Sequence, residues 1–306
     1  MNNINKEEII NEIKRLQKEK NAIILVHNYQ KKEVQEIADI LGDSLDLSKK
    51  AKETNADIIV FAGVRFMAET AKILSSDKKV LLPVKDAGCP MADMITKKNL
   101  IKMKEKYPDY KVVAYVNTSA EVKSEVDICC TSANAINLIK NYPYDKILFV
   151  PDKNLGSYIK KHVKDKDIIL WEGFCPVHHN TKKEDILAIK EEHPDAIILV
   201  HPECPPEVLE IADYALSTNQ MVKFVKESNY KEFIIGTEEG MIYRLERENP
   251  DKKFYNPKRK LICQNMKKTS LIDIYNALKF EQYEINLSQE IIEKSKNALE
   301  EMLKYT

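Results

Sequence analysis

The sequence lacks the glycine-rich loops by which many enzymes hold phosphate groups. Only 7 of its 306 residues are glycine. Neither the G-x-G-x-x-G pattern of dinucleotide-binding folds nor the G-x-x-x-x-G-K pattern of nucleoside triphosphatases occurs. The G-x-S-x-G elbow of serine hydrolases is absent as well. These absences argue against a dinucleotide site, a nucleoside triphosphate site and a serine hydrolase.

The sequence also lacks an excess of either charge. Lys and Arg together number 48, as do Asp and Glu, so there is no overall positive field that would attract nucleic acid. Lysine-rich stretches such as KKNLIKMKEK mix both signs at helical spacing, which is typical of solvated helix faces. We therefore expect no nucleic-acid partner.

Long apolar runs are missing too. No stretch approaches the roughly 20 apolar residues of a membrane span. The charged segment at residues 1–20 lacks the apolar centre of a signal peptide. We expect a cytoplasmic protein without a membrane partner. In a reducing compartment, its 6 cysteines are expected to be free thiols or metal ligands rather than disulfides.

A degenerate run of twelve residues occurs three times. Its copies are EVQEIADILGDS, EVKSEVDICCTS and EVLEIADYALST. They begin at Glu33, Glu121 and Glu207, which are 88 and then 86 residues apart. Apolar residues make up 43% of the chain, which is enough for a globular core. Three copies predict three similar structural units.

Strand-like and helix-like segments alternate within each predicted unit. In the first, the apolar run AIILVH precedes helical spacing through Ile37, Ala38 and Leu41, and Ser44 is expected to cap the next helix. The strands DIIVFAG and KVLLPV follow, and the order recurs twice. This alternation predicts an α/β fold, namely three pseudo-symmetric three-layer α/β/α units with short parallel sheets around a central site. The expected units span residues 1–95, 96–181 and 182–268, with C-terminal helices in 269–306 packing on them.

Three sets of polar residues align under the spacing of the repeat. The sets are His27, Tyr115 and His201; Tyr29, Asn117 and Glu203; and Ser44, Ser132 and Thr218. The first two sets follow the first strand of each unit, and the third ends the repeated run. Ligands bind beyond the carboxyl ends of strands in open parallel sheets. Each unit is therefore expected to present polar residues at its functional edge.

Three cysteines follow the same spacing. Cys89, Cys175 and Cys263 lie 86 and then 88 residues apart. Equivalent thiols from three units predict a metal centre with three protein ligands and one open coordination position. Catalytic zinc more often mixes His with Cys, whereas three cysteines alone suit a 4Fe–4S cluster; ordinary buried cysteines remain an alternative. The other cysteines do not follow the spacing and are expected to be structural: Cys129, Cys130 and Cys204.

Several longer motifs occur in a characteristic order along nearly the whole chain. They are HNYQ at 27–30, DAGCPMADM at 86–94, VVAYVNTSAEVK at 112–123, CCTSAN at 129–134, WEGFCPVHH at 171–179, HPECPPEV at 201–208 and GTEEGMIYRL at 236–245. Together they resemble the quinolinate synthase family. One departure is visible, because some members carry a C-x-x-C pair near the third ligand, whereas Cys263 stands alone in ICQNM. The departure puts a C-terminal redox disulfide in doubt, but not the cluster.

The resemblance implies an enzyme that condenses iminoaspartate with dihydroxyacetone phosphate to quinolinate, with loss of phosphate and water, on a pathway to NAD. It implies three pseudo-symmetric units around a 4Fe–4S cluster whose unique iron acts as a Lewis acid. The cluster ligands would be Cys89, Cys175 and Cys263. The expected partners are the two small-molecule substrates and a transient partner that supplies iminoaspartate.

Such a reaction needs proton transfer and sites for carboxylate and phosphate groups. Glu203 is the first candidate for the general base, and Tyr29, Tyr115 and His201 are further catalytic candidates. A tyrosine has an ordinary pKa of about 10, so its use as a base requires nearby positive charge or the cluster. Hydroxyls and backbone N–H groups at helix starts are expected to hold anions. The expected substrate-binding residues are His27, Ser44, Tyr115, Asn117, Ser132, His178, His201, Glu203 and Thr218.

Two hypotheses from other functional classes stay open. One is a non-enzymatic iron–sulfur protein that senses oxygen or carries electrons. The other is a structural zinc protein in which the thiols only tie the three units together. The metal content and the ligand count distinguish these hypotheses from each other and from a synthase.

Overall fold

A computed structural model describes residues 6–305 of the chain. Residues 1–5, which belong to the first predicted unit and to the expected charged N-terminal segment, and residue 306 lie outside the described residues. None of the helices in the described range combines the length and the apolar character that crossing a membrane requires.

The first sheet is built from the N-terminal third of the chain. Its elements are α1 (Lys6–Glu19), β1 (Ala22–His27), α2 (Lys32–Gln35), β2 (Ile40–Gly42), α3 (Ser44–Glu53), β3 (Ile58–Ala62), α4 (Arg65–Leu74), β4 (Lys79–Leu81) and α5 (Pro90–Asp93). All four strands are parallel, in the order β2-β1-β3-β4. The strand order reverses between β1 and β3, which is where open parallel sheets bind ligands.

The second sheet repeats this arrangement. Its elements are α6 (Lys97–Lys106), β5 (Lys111–Tyr115), α7 (Ala120–Lys123), β6 (Ile128–Cys130), α8 (Ala135–Asn141), β7 (Lys146–Val150), α9 (Lys153–His162), β8 (Asp167–Leu170) and α10 (Pro176–His179). The parallel strands lie in the order β6-β5-β7-β8.

The third sheet has the same order again and is followed by two more helices. Its elements are α11 (Lys183–Glu192), β9 (Ile197–Val200), α12 (Pro206–Ile211), β10 (Tyr214–Ala215), α13 (Thr218–Glu227), β11 (Glu232–Gly236), α14 (Gly240–Glu248) and β12 (Lys253–Tyr255). The order is β10-β9-β11-β12, and all pairs are parallel. The chain ends with α15 (Leu271–Phe280) and α16 (Gln289–Leu303).

Both faces of the sheets are covered, which explains their apolar strands. Successive side chains of a strand point to opposite faces. In β1, Leu25 belongs to the large core shared by the three units, whereas Ile24 and Val26 pack in a second core with residues of α1 and α15. The predicted α/β fold with three units of short parallel strands is confirmed. The proposed unit boundaries stay a prediction.

The twelve-residue run contains a side chain that hydrogen-bonds to the first strand of its unit. The aspartate at its seventh position accepts a hydrogen bond from a backbone N–H of the first strand in all three units. The pairs are Asp39 with Ile24 at 2.7 Å, Asp127 with Val112 at 2.8 Å and Asp213 with Ile198 at 2.8 Å. The run is therefore a structural device that builds the same strand pair three times.

The predicted helix through Ile37, Ala38 and Leu41 is wrong. The helix α2 ends at Gln35, and Ile40 begins the strand β2. Residues of β2 pair in parallel register with β1, and this pairing satisfies backbone groups that a short helix would leave open. Each unit therefore has four strands rather than the three that the apolar runs predict.

The expected capping role of Ser44 is also wrong. Asp43 is the N-cap of α3, and its Oδ1 accepts hydrogen bonds from Leu45 N–H and Asp46 N–H, both at 3.0 Å. Ser44 is the first helical residue instead. A carboxylate at this position accepts hydrogen bonds from two N–H groups, and its negative charge interacts favourably with the positive end of the helix dipole. A neutral hydroxyl group lacks this charge interaction.

Candidate active site

One cavity is lined by residues from all three units. It contains every residue that the sequence predicts for the site. These are the thiol wall, defined as Cys89, Cys175 and Cys263, and the polar wall, defined as His27, Tyr29, Ser44, Tyr115, Asn117, Ser132, His178, His201, Glu203 and Thr218. The aligned strand ends of the repeat thus meet in space.

The three cysteines of the thiol wall have the same local geometry. Each is partly buried and followed by a tight helical turn, and Cys89 and Cys175 are the N-caps of α5 and α10. A backbone N–H three residues later faces each sulfur and favours the thiolate; the donors are Ala92, His178 and Met266. Burial nevertheless raises the pKa of all three thiols, that of Cys89 to about 12. A bound cation would therefore be needed to hold these sulfurs as thiolates at neutral pH.

Buried carboxylates hold the backbone of two of these cysteines. Asp152 Oδ2 accepts a hydrogen bond from Cys175 N–H at 2.9 Å, and Glu238 Oε1 accepts one from Cys263 N–H at 3.1 Å. Asp152 and Glu238 occupy equivalent positions of the repeat, where the first unit has Val64. Burial, with the negative charge of Glu203, raises the pKa of Asp152 to about 8.

Glu203 accepts two side-chain hydrogen bonds at the centre of the polar wall. Tyr115 Oη donates to Glu203 Oε1 at 2.6 Å, and His178 Nδ1 lies 2.6 Å from Glu203 Oε2. Burial alone would raise the pKa of this carboxyl, but the rings of His201 and His178 and the hydrogen bonds from His178 and Tyr115 outweigh burial and lower it. At neutral pH, where His201 is uncharged, the two hydrogen bonds carry this effect. Glu203 is therefore ionised at neutral pH.

A chain of hydrogen bonds connects Glu203 with Tyr29. Because an ionised carboxylate only accepts hydrogen bonds, His178 donates from Nδ1 to Glu203. Thr237 Oγ1 lies 2.9 Å from His178 Nε2 and 2.6 Å from Tyr29 Oη. These contacts form a continuous hydrogen-bonded path for a proton between Tyr29 and the carboxylate of Glu203.

Both tyrosines of the polar wall keep their protons at neutral pH. Burial raises the pKa of Tyr29 and of Tyr115 well above the ordinary 10.0, and the negative charge of Glu203 adds to this effect. Because each phenol is protonated, each can donate a hydrogen bond or a proton. Neither is placed to act as a base before a proton has left the site.

His27 and His201 occupy equivalent positions and make the same backbone contact. Tyr29 N–H donates to His27 Nδ1 at 3.2 Å, and Glu203 N–H donates to His201 Nδ1 at 3.4 Å. Burial lowers the pKa of both rings to about 3, so they are neutral at pH 7. With Nδ1 accepting, the ring proton lies on Nε2, and that of His201 faces Ser132 Oγ at 3.2 Å.

The remaining polar residues of the cavity are less uniform. Ser44 and Thr218 begin α3 and α13, whereas Ser132 lies in the turn before α8. Thr218 Oγ1 accepts a hydrogen bond from Asn28 Nδ2 at 2.9 Å. Asn117 Oδ1 is buried and has no hydrogen-bond partner within residues 6–305. An unpartnered oxygen in a cavity wall favours a ligand that donates a hydrogen bond.

The metal-binding possibilities of the site are of two kinds. The thiol wall offers three sulfurs, whose polar neighbours include the backbone N–H groups described above. Separately, Cys175 Sγ, one nitrogen of His178 and one oxygen of Glu203 all lie within 4.8 Å of one another, so these three residues could hold a metal ion. In this second set both ring nitrogens of His178 already have partners in Glu203 and Thr237.

Sequence reasoning did not identify Thr237. Its signal was nevertheless present, because Thr237 directly follows β11 and aligns under the repeat with Gly63 and Pro151. Thr237 follows the third of the four strands of its unit, whereas the aligned polar residues lie at the first strand or at the end of the twelve-residue run. Asp43 was missed too; it lines the cavity, and burial raises the pKa of its carboxyl to about 6.

The cysteines and histidines that the sequence set aside lie elsewhere. Cys129, Cys130 and Cys204 are fully buried in apolar cores, as expected. Cys204 Sγ lies 3.6 Å from Gly236 O. None of these cysteines lines the cavity, and neither do the three remaining histidines of the described residues, His162, His179 and His193.

Comparisons with known proteins agree on one family. Residues 11–304 match the family model described as Quinolinate synthetase A protein. The chain is 57% identical over 297 residues to a quinolinate synthase of Caldicellulosiruptor saccharolyticus, covering 97% of this chain and 98% of that protein. It is 54% identical over 300 residues to a quinolinate synthase of Alkaliphilus metalliredigens, covering 98% and 99% of the two chains. A third relative, quinolinate synthase 2 of Methanosarcina acetivorans, is 53% identical over 295 residues, which cover 96% and 95%.

Proposed function

The chain belongs to the Quinolinate synthetase A protein family, and we propose that it is itself a quinolinate synthase of NAD biosynthesis. It would condense iminoaspartate with dihydroxyacetone phosphate to quinolinate, with loss of phosphate and water. The observation that carries this proposal is the meeting of two systems in one cavity, namely three equivalent thiols and a hydrogen-bonded chain that ends in an ionised glutamate.

The proposed cofactor is a 4Fe–4S cluster held by the thiol wall. Identical donors at three equivalent positions suit a cluster, and the N–H groups facing the sulfurs favour thiolates. When bound, the cluster supplies one iron with an open coordination position, which serves as a Lewis acid for removal of a hydroxyl group. The mixed set of Cys175, His178 and Glu203 fits less well, because binding there would break hydrogen bonds of 2.6 and 2.9 Å.

Glu203 is the proposed general base. It is the ionised group at the centre of the polar wall, and both its oxygens accept hydrogen bonds from protonated neighbours. A base in this position removes a proton from the condensing carbon skeleton, and the hydrogen bonds that Tyr115 and His178 donate keep the carboxylate ionised until then. The chain through Thr237 gives the proton a path to or from Tyr29.

Tyr29, Tyr115 and His201 are the proposed proton donors. Their protonated or neutral states follow from burial. A neutral histidine with its proton on Nε2 donates to an oxygen without adding positive charge. Dehydration requires a proton for the departing hydroxyl, and these donors face the cavity in which the substrate would lie.

The proposed substrate-binding residues surround the same space. The hydroxyl groups of Ser44, Ser132 and Thr218 suit carboxylate and phosphate oxygens. The neutral rings of His27 and His201 offer N–H donors, and the amide of Asn117 offers a donor for carboxylate and an unpartnered acceptor oxygen. The residues in this role are His27, Ser44, Tyr115, Asn117, Ser132, His178, His201, Glu203 and Thr218.

The substrates imply a further partner and a compartment. Iminoaspartate carries a hydrolysable C=N bond, so we propose that an enzyme forming such an imine from an amino acid delivers it through a transient contact. The cytoplasm, which keeps thiols reduced, suits the proposed cluster. Both statements stay predictions.

The test begins with anaerobically purified protein. Iron and sulfide in equal amounts, together with quinolinate formation from the two substrates, are the expected results. Zinc without sulfide would favour the structural zinc alternative. A complete cluster without quinolinate formation would favour an iron–sulfur sensor or electron carrier.

The role of Glu203 is tested by Glu203→Gln. We expect the cluster to be retained and turnover to fall by about 10²–10⁴-fold, because the amide cannot take a proton. The matched control is Glu207→Gln, an exposed glutamate four residues later in the same motif. Wild-type turnover in Glu203→Gln would remove this residue from catalysis.

A further inference from the structure

Lys123 is a fully buried lysine next to the candidate site. Its side chain has 0% exposure. Lys123 Nζ donates a hydrogen bond to Val116 O at 2.7 Å and another to Thr118 O. These two carbonyl groups stand on either side of Asn117, which lines the cavity. Lys123 itself does not line the cavity, so it can affect the site only through the backbone groups that it binds.

Gln35 occupies the equivalent position of the first unit and makes the equivalent contacts. Gln35 Nε2 lies within hydrogen-bond distance of Asn28 O at 3.0 Å and Gln30 O at 2.8 Å, and also of Gly240 O at 2.8 Å. The first two carbonyl groups stand on either side of Tyr29. Lys123 and Gln35 are 88 residues apart, and so are the carbonyl groups that they bind on either side of the site residue. The same position of the repeat therefore binds the same two carbonyl groups in two units.

The third unit holds its loop differently. Leu209 stands at the equivalent position and has no donor. The corresponding loop is flanked by Pro202, Pro205 and Pro206, whose rings restrict the backbone. Asn154 Nδ2 donates to Glu203 O at 3.0 Å as well. The third position of the twelve-residue run therefore supplies a donor only in the two units whose loops lack these prolines.

We propose that Lys123 and Gln35 are positioning residues that hold Asn117 and Tyr29 at their places in the cavity wall. The proposal rests on the function proposed above for those two residues. Each donor binds the carbonyl groups of the residues before and after one site residue. The first carbonyl group belongs to the peptide plane directly before the site residue and the second to a plane just beyond it, so the donor holds the short loop that carries the side chain. Lys123 and Gln35 therefore help to set the positions of the site residues, although neither side chain lines the cavity.

The chemistry of the two residues explains why a buried charge is tolerated at one of them. A peptide carbonyl group that is buried without a hydrogen-bond partner destabilises the folded state, so two such groups need a donor. A lysine supplies charge-assisted hydrogen bonds, and its ammonium group lies 5.4 Å from the centre of the Phe66 ring. Burial lowers the pKa of Lys123 to about 8. The residue that does the same task in the first unit is uncharged, so the hydrogen bonds are the shared property.

The first experiment compares Lys123→Met with Lys123→Gln in the reconstituted holoenzyme. Methionine keeps the length and loses the donor, whereas glutamine copies the residue of the first unit. For Lys123→Met we expect the KM for iminoaspartate to rise about tenfold with kcat within about threefold, because a loosened Asn117 binds substrate less well. Lys123→Gln should stay within about threefold of the wild type in both parameters.

The second experiment applies the same change to the first unit. Gln35→Met loosens Tyr29, a proposed proton donor, so kcat should fall about tenfold while the KM stays within about threefold. Iron and sulfide content should equal that of the wild type in all variants. A merely structural role would lower the amount of folded enzyme without this opposite division between KM and kcat.

Amide hydrogen exchange provides a readout that does not depend on activity. Peptides covering residues 112–123 should exchange faster in Lys123→Met than in the wild type and should recover in Lys123→Gln. If the wild-type holoenzyme formed no quinolinate, the proposed function would fail, yet the exchange result would still test the positioning role. Unchanged exchange and KM in Lys123→Met, or losses in Lys123→Gln as large as in Lys123→Met, would overturn the proposal.

Discussion

The thiol wall repeats one residue type at three equivalent positions, whereas the polar wall places different residue types at its equivalent positions. Cys89, Cys175 and Cys263 share a half-buried thiol and a following turn. Tyr29, Asn117 and Glu203 share only their place after the first strand. The same threefold backbone therefore supports a symmetric set of ligands on one side and an asymmetric set of reactive groups on the other.

The difference teaches what each wall is suited to bind. Three identical sulfurs match an inorganic cluster, which presents equivalent iron atoms to three ligands. A substrate with distinct carboxylate, imine and hydroxyl groups needs different partners on each side. Repetition of the backbone was sufficient for the first task, while the second required each unit to diverge at the strand ends.

The largest expected effect tests the thiol wall. Cys89→Ala, Cys175→Ala or Cys263→Ala should each abolish assembly of a complete cluster, because each removes one of three protein ligands. Iron and sulfide content and the visible absorbance after anaerobic reconstitution measure this. Secondary structure by circular dichroism should be largely kept.

A buried cysteine outside the cavity is the matched control for the thiol wall. Cys204→Ala changes a thiol that lies in the core of the third unit, and it should retain the full cluster. A complete cluster in any one of the three thiol-wall variants would break the contrast between the walls.

The next effect tests the hydrogen-bonded chain of the polar wall. Thr237→Val removes the hydroxyl between Tyr29 and His178 but preserves the side-chain shape. We expect kcat to fall about 10- to 100-fold, which corresponds to the loss of one or two buried hydrogen bonds. The cluster content should not change.

Thr269 offers a matched control for this substitution. It is also fully buried, and its Oγ1 has no hydrogen-bond partner within residues 6–305. Thr269→Val should therefore leave kcat unchanged. Equal kcat values for Thr237→Val and Thr269→Val would show that the chain does not take part in turnover.

The smallest expected effect is a pH-dependent contribution of Lys123, which holds the loop of Asn117 in the polar wall, to the free energy of unfolding. The pKa of Lys123 is about 8 in the folded protein, below the ordinary 10.5. Between these values the unfolded chain binds more protons than the folded protein, so this group makes the folded state more stable as the pH rises. Below pH 8 the cost of burying the charge is fully present. It is at most about 3 kcal/mol.

Lys123→Gln removes this pH-dependent cost. The variant's free energy of unfolding relative to the wild type should be highest and constant below about pH 7 and should fall towards pH 10.5. Anaerobic urea denaturation across this range provides the measurement. A difference that stays constant up to pH 10.5 would mean that Lys123 is not buried as a cation.

Much of the fold could be predicted from local patterns. The apolar run AIILVH predicts β1, which spans Ala22–His27, and the repeat predicts three similar units. The short second strands could not be predicted, because Ile40 and Leu41 fit helical spacing as well as a strand. Their state is decided by pairing with β1, which is a tertiary interaction.

The site was predictable where residues obey the repeat and unpredictable where they act through contacts. The spacing singles out the cysteines and the strand-end residues, and all of them line one cavity. It gives no reason to connect Thr237 with His178, which lie 59 residues apart in sequence. It also gives no reason to pair Lys123 with Gln35 as holders of backbone carbonyl groups.

The sequence by itself determined the three units, the parallel α/β architecture and the aligned thiols and polar residues that line one cavity, because periodic apolar residues and repeated positions are properties of the chain alone. Only the tertiary structure decided protonation and partners. Burial and the charge of Glu203 keep Tyr29 and Tyr115 protonated, whereas hydrogen bonds from His178 and Tyr115 keep Glu203 ionised against the effect of burial. These effects depend on the distances between groups and on the exclusion of water, which arise when three units close around one cavity.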